Sequence, residues 1–417
     1  MSVVVDAEAA ELVLANCLEK DEFNLFFRKL LGSGSIMAPV SVWRPRRKQM
    51  APFFGITNAN RSQDSLLKHS DNLVKHLESM ADTEPFSMFD IFYPYAFDTI
   101  MELILGLTLN SHEEEDTRVL KAVPDCFNSV AYFLFQPYLQ FEIIYSRLPI
   151  WAKFLNDKQN IQRLIAKVMA SKQKLYDGKN NNVDANISLK SLVDFLYSSP
   201  DDKKFSIDEI REELFVMLFG STILPCVSLC FTCMMLAKYP DVQEKLIREL
   251  DEESSRYEKG LTKSRPHENK YLEAVIKETF RLYPSVPTVS RKIDKDIEMP
   301  SGTVLPAGAA CFISIWGIHR NPKYWGPDAD SFRPERFFDS PPKHPATLMP
   351  FSYKSRGCIG MHFGMLSLKV ILASLLKEYR FLPNTTTDAP VRPLYDIILK
   401  DADNYMIRLK RRDRIQQ

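Results

Sequence analysis

The sequence predicts a mainly α fold with small β-sheets, on three observations. Apolar residues recur at helical spacing through long segments. Glycine is scarce, at 14 of 417 residues, while phenylalanine (27) and methionine (15) are plentiful. Strand-like runs are short and fall in the last third of the chain. A chain of 417 residues can bury a large core, and its length alone allows two or three domains.

Helices are expected over 60–82 and 84–107, the second carrying Phe89, Ile91, Phe92 and Met101. Residues 116–147 form another, with a break at Pro137. Its aromatic stripe (Tyr132, Phe133, Phe135, Tyr138, Phe141, Tyr145) is read as core; the other reading is an access channel or a membrane-facing surface. A helix follows over 152–177, then a polar loop from Asp177 to Asn186. A second polar loop is expected from Glu252 to Lys270. Between these loops lies a long helix, 206–238, opened by a capping box of Ser206 and Glu209. Pro225 falls in its middle, where proline removes a backbone hydrogen bond and calls for compensation. Residues 269–282 make a short helix. Strands are expected at Gly302–Leu305 and Cys311–Trp316, and as a C-terminal pair, Ile397–Leu399 and Tyr405–Leu409, turned by Asp401–Asn404.

The net charge of +1 argues against a nucleic-acid partner. Arg44–Lys48 and Arg408–Arg414 are short basic clusters of the kind found on solvated faces. The seven cysteines are odd in number and no C-x-x-C pair recurs, which argues against zinc and for a reducing compartment. Cys226, Cys230 and Cys233 share one helix face without His or acidic partners, so they read as core packing. There is no signal peptide and no run of eighteen apolar residues.

One segment stands apart: Phe351-Ser-Tyr-Lys-Ser-Arg356-Gly-Cys358-Ile-Gly360. It places a cysteine between glycines at the mouth of an apolar helix, Met361 to Leu376. A thiolate there is favoured by exposed N–H groups and the helix dipole. Arg356 can pair with an anion beside it. A haem iron needs such a set: an axial thiolate, and a cation for a propionate. The local residues leave a second reading open, a buried inert cysteine before a core helix.

Glu278 and Arg281, at i and i+3, lie on one helix face and can pair. The run Glu278-Thr-Phe-Arg281-Leu-Tyr-Pro284, then Pro334-Glu-Arg336-Phe, then the cysteine segment, resembles the E-x-x-R, P-E-R-F and F-x-x-G-x-R-x-C-x-G series of the cytochrome P-450 superfamily. Order and separations match, and the resemblance extends over the whole chain as a single domain, 1–417. Trp43-Arg-Pro-Arg-Arg47 resembles the W-x-x-x-R element, and Arg291 falls where a strand arginine is expected. Phe219, Leu236–Pro240 and Trp316–Pro322 resemble the microsomal family-4 clan most.

The resemblance implies the cofactor and the roles. The cofactor is haem b (heme b, iron protoporphyrin IX). Cys358 is the implied axial ligand, within a loop that includes Phe351 and Gly360. Trp43, Arg47, Arg291 and Arg356 are the implied propionate partners. Glu278, Arg281 and Arg336 are the implied buried triad. The implied partners are an apolar small molecule and an NADPH-dependent flavoprotein reductase. The implied location is the cytosolic face of the endoplasmic reticulum membrane.

Three departures from the pattern stand out. Lys354 occupies a position where the cysteine loop normally has a glycine, suited to φ > 0. In the long helix, the family's acid and threonine fall at Ile223 and Leu224, so the residues that relay protons during dioxygen activation are replaced by hydrocarbon. Ser221 and Thr222 are near, but each step turns about 100° around the helix. Gly220 stands where family-4 members can carry a glutamate for covalent haem attachment. Finally, the chain opens where the helix before Trp43 is expected, so the membrane anchor, first helix and first strands are expected to be absent.

Three functions follow from these matches and departures. The first is a haem-thiolate monooxygenase with an apolar distal wall of Phe219, Ile223 and Leu224. The second is a peroxide isomerase or dehydratase, which needs no such relay. The third is a degenerate haem-binding protein or truncated pseudoenzyme.

Overall fold

The computed structural model describes residues 1–108, 114–177, 191–199, 205–259, 265–339, 342–386 and 389–412. The expected loop Asp177–Asn186 lies, after Asp177, outside them. The chain forms two compact units: Met1–Leu18, Ala59–Tyr95 and Leu224–Gln417 in the first, Glu19–Asn58 and Ala96–Ile223 in the second.

Among the described residues, the sheets all lie in the first unit. Ser2–Val4 runs parallel to Ala310–Ser314, which pairs antiparallel with Thr288–Lys292. A strand therefore precedes the helix at which the chain was expected to open. That helix, Ala7–Asn16, is started by Asp6, whose carboxylate accepts the N–H groups of Glu8 and Ala9 at 3.1 Å. Its inner face (Ala7, Ala10, Val13, Leu14) joins Ile313, Ile315, Ile318, Ala346 and Met349 in one apolar cluster. Small residues let the helix lie close, and each fully buried large side chain contributes about 1.5–3 kcal/mol.

The C-terminal strands differ from expectation. Met406–Arg411 pairs with Tyr379–Pro383 and Phe86–Ser87, while Leu399–Asp401 pairs with Pro393–Tyr395. The two segments flanking the turn therefore join different sheets. The turn causes this: Asp401 accepts the N–H groups of Asp403 and Tyr405, and Asn404 and Tyr405 both take positive φ. Two left-handed residues in succession steer the chain out of the first sheet. The expected 311–316 strand ends at Ser314, whose hydroxyl caps a new helix, Ile315–Arg320.

The helices largely follow the apolar periodicity. Gln63–Leu77, Lys270–Leu282 and Met361–Glu378 form in the first unit, and Glu114–Phe135 and Pro149–Asp177 in the second. The 116–147 segment does break at Pro137. The 84–107 segment divides into a strand, an α-helix (Met88–Ile100) and a π-helical turn (Met101–Leu105) closed by left-handed Gly106. The polar segment from Glu252 is helix as far as Glu258, because the Pro240–Glu258 helix is rich in strong helix formers.

The long helix spans Ile207–Lys238 and starts with the expected reciprocal cap: Ser206 N–H donates to Glu209 at 2.8 Å, and Glu209 N–H to Ser206 at 3.2 Å. It continues through Pro225. It is long and apolar enough to cross a membrane, but 78% of its most apolar window is buried inside the protein. It is therefore a core helix. Cys226, Cys230 and Cys233 are buried along it, as packing predicts.

In the second unit, Phe133 packs against Tyr145, Trp151 and Phe154 with ring centroids 5.8–6.0 Å apart. The aromatic stripe is thus only partly core. Tyr132, Phe135, Tyr138 and Phe141 are exposed. The basic cluster at 44–48 is likewise not simply solvated. Arg46 is buried and reaches Glu209, Glu212 and Glu213 at 3.3, 2.9 and 3.0 Å. Glu213 is fully buried and also accepts the N–H and hydroxyl of Ser35. Burial pushes its carboxyl above the usual range, against the pull of Ser35 and Arg46.

Candidate active site

The cysteine loop begins at Phe351 and ends at the helix Met361–Glu378. Cys358 N–H donates to Phe351 O at 2.7 Å, closing the loop on itself. Inside it, Lys354–Arg356 make one 3₁₀ turn, sealed by Gly357 N–H on Lys354 O at 3.0 Å. A Cβ at Gly357 would lie 3.1 Å from Lys354 O, so a glycine lets the chain pass there. A Cβ at Gly360 would make only ordinary contact, at 3.8 Å, with the sulfur of Cys358. The ring of Phe351 meets Phe280 edge-on at 5.3 Å. Of the seven cysteines, six are buried and Cys358 is exposed. The inert-core reading of this residue is therefore set aside.

Ser352 and Lys354 both have positive φ, +61° and +58°. The loop keeps the left-handed turn expected of glycine and forces a lysine into it. Lys354 Nζ meets Glu11 Oε1 at 2.5 Å and lies 4.8 Å from the Tyr353 ring. The Glu11 carboxyl is held below its usual range, first by this hydrogen bond, and His344 Nε2 sits on its other oxygen at 3.0 Å.

Glu278, Arg281 and Arg336 come together in the first unit. Glu278 Oε1 accepts from Arg336 Nε at 2.8 Å, Arg281 Nη2 at 2.9 Å and Arg333 N–H at 2.8 Å. Its other oxygen accepts Arg281 Nε at 2.8 Å. Arg281 also donates to the carbonyls of His319, Ala329 and Ser331, and Arg336 to those of Trp325, Asp328 and Ser331. Glu278 and Arg281 are completely buried. So many charge-assisted bonds are what allow a buried ion cluster to form.

Arg291 is buried on Thr288–Lys292, and its Nη1 donates to Ser290 O at 2.8 Å. Arg356 sits in the turn before Cys358. These three residues belong to the first unit. Trp43, buried, and Arg47, half-buried, belong to the second, four residues apart on the helix Val40–Met50.

On the long helix, Ile223 is buried and Leu224 half-buried. The nearby hydroxyls are committed: Ser221 donates to Met217 O at 2.5 Å and Thr222 to Leu218 O at 2.8 Å. Past Pro225, Ser228 and Thr232 fold back on the carbonyls four residues earlier in the same way. A Cβ at Gly220 would make only ordinary contact, at 3.5 Å, with Ile36.

The donor set suits haem: an exposed thiol at a helix N-terminus, with Arg356 two residues before it. His319, Glu11 and Arg46 were not singled out from sequence. Nothing in their local patterns distinguishes them, since each acts on a segment far away in the chain.

A family model described as Cytochrome P450 matches residues 1–408. The chain is 28% identical to Cytochrome P450 4d8 of Drosophila melanogaster, covering 98% of this chain and 91% of that one. It is 29% identical to Cytochrome P450 4V2 of Mus musculus, covering 97% and 79%. It is 29% identical to Probable cytochrome P450 4s3 of Drosophila melanogaster, covering 99% and 84%. With the triad and the cysteine loop in place, the chain belongs to the cytochrome P-450 family, haem-thiolate proteins whose cofactor is heme b.

Proposed function

We propose that this protein is a haem-thiolate monooxygenase acting on an apolar small molecule, a lipid, terpenoid or xenobiotic. The observation that carries this reading is the exposed Cys358 at the head of the Met361–Glu378 helix, in a loop braced by Phe351. When bound, heme b supplies the redox chemistry that inserts one atom of dioxygen into substrate. Cys358 holds the iron as thiolate. Arg291 and Arg356 take the propionates. Glu278, Arg281 and Arg336 brace the segment leading to the cysteine loop. Phe219, Ile223 and Leu224 exclude water and favour hydrocarbon.

Electrons come from an NADPH-dependent flavoprotein reductase, and the protein works at the cytosolic face of the endoplasmic reticulum membrane. Membrane association is supported by exposed Tyr132, Phe135, Tyr138, Phe141, Ile143 and Ile144, which are clustered in sequence.

A second reading, a peroxide isomerase or dehydratase, is favoured by one observation. Ser221 and Thr222, the hydroxyls that flank Ile223 and Leu224 on the N-terminal side, both spend their protons on backbone carbonyls. The test is the carbon monoxide difference spectrum of the reduced protein, followed by turnover assays. A thiolate-type Soret band with reductase-dependent dioxygen uptake supports the monooxygenase. The same band with peroxide rearrangement and no dioxygen uptake supports the second reading. A band of the neutral-thiol or histidine type overturns both.

A further inference from the structure

His319 is fully buried on the short helix Ile315–Arg320, and both its ring nitrogens are engaged. Met349 N–H donates to Nε2 at 2.9 Å. Nδ1 lies 3.2 Å from Phe280 O, on the triad helix. A backbone N–H can only donate, so Nε2 must accept, and Nδ1 carries the hydrogen that Phe280 O receives. The ring is therefore neutral and held in one tautomer. Burial, helped by the guanidinium groups of Arg281 and Arg320 and opposed by the hydrogen bond to Phe280 O, depresses its pKa to about 3.

The two groups it joins matter. Phe280 precedes Arg281 of the triad, and Arg281 Nη1 donates to His319 O at 2.9 Å. Met349 lies two residues before Phe351, and its carbonyl accepts Ser352 N–H at 2.9 Å. Phe351 O in turn accepts Cys358 N–H. A continuous series of contacts thus runs from the triad helix through the imidazole to the chain that enters and closes the cysteine loop.

We propose that His319 is a positioning residue for the axial thiolate, setting the distance between the triad helix and Met349 and so the direction in which Cys358 presents its sulfur. This rests on the reading that Cys358 ligates haem. Neutral histidine supplies an acceptor at Nε2 and a donor at Nδ1 on one rigid ring, which fixes the spacing between the two points. Groups that orient a metal ligand through hydrogen bonds matter to the metal nearly as much as the ligand itself.

The test uses the whole chain loaded with haem, with His319→Phe, His319→Gln and His319→Asn. Total haem is measured as pyridine haemochrome, and the ligand state by the reduced carbon monoxide spectrum. Gln can place an oxygen near the Nε2 position and accept from Met349 N–H. Asn can place a donor only near Nδ1. The ratio of thiolate to neutral-thiol form should fall by about tenfold in His319→Phe, recover largely in His319→Gln and stay low in His319→Asn. A wild-type ratio in His319→Phe overturns the proposal. Should His319→Phe not fold, Asn performing as well as Gln overturns it. Cys358→Ser separates the two ideas: if it leaves the wild-type band unchanged, the thiolate reading itself fails, whatever His319 does.

Discussion

Lys354 Nζ lies 2.5 Å from Glu11 Oε1, joining a left-handed lysine of the cysteine loop to the first helix of the chain. An exposed pair of this kind contributes little by charge alone. Its value is geometric: it restrains a residue whose backbone prefers other conformations. The positive charge that lysine adds to this face is also largely taken up by Glu11.

If that restraint matters, Glu11→Gln lowers the thermal midpoint and shifts part of the carbon monoxide band toward the neutral-thiol form. Lys354→Gly relieves the backbone instead, because glycine takes φ near +58° freely. In the Lys354→Gly background the Glu11→Gln effect should shrink. Equal effects in both backgrounds would show that Glu11 acts through His344 alone.

Removing Arg336 leaves Glu278 buried with one cation fewer. The cost is about 3–5 kcal/mol, typical of breaking a buried ion cluster from one side. Arg336→Ala should therefore abolish haem incorporation rather than slow turnover. Haem per chain is the readout, and a fully loaded variant would refute the assignment.

Arg46 and Glu213 supply a test in the second unit. Arg46→Met should destabilise by about 3–5 kcal/mol, because Glu213 stays buried without its cation. Arg46→Met with Glu213→Leu should recover most of that loss. Urea unfolding measures both, and a double variant no better than the single one argues against the pairing.

Glu273 predicts a dependence on acid. Burial alone would raise its carboxyl, but hydrogen bonds from Lys277 and Lys369 outweigh burial and hold it at about 2. A depressed carboxyl contributes stability that is complete above its unfolded pKa, about 4.3, and is lost as pH falls toward about 2. Because Lys369 lies on the helix that follows Cys358, acid loosens the link between the triad helix and that helix. Glu273→Gln should flatten the stability decline between pH 5 and about 2. An unchanged slope would rule the pair out as its source.

Much of the architecture was legible because it depends on local pattern. The capping box at Ser206, the break at Pro137 and the apolar periods of the long helices are set by neighbours a few residues apart. The 60–82 helix is shorter than its pattern, Gln63–Leu77. Strand partners were not legible: Leu399–Asp401 and Met406–Arg411 look like a hairpin in sequence, yet two left-handed residues send them to different sheets.

By itself, the sequence determined the family and the helical class, because those reside in residue types at fixed spacings. It also determined that hydrocarbon stands at Ile223 and Leu224. Only the tertiary structure decided that Lys354 keeps a left-handed turn, that Glu11 pairs with it, that Arg46 is buried among three glutamates, and that His319 links Phe280 to Met349. The last three are contacts between segments distant in the chain, and their energy comes from burial and hydrogen-bond geometry that no local pattern encodes.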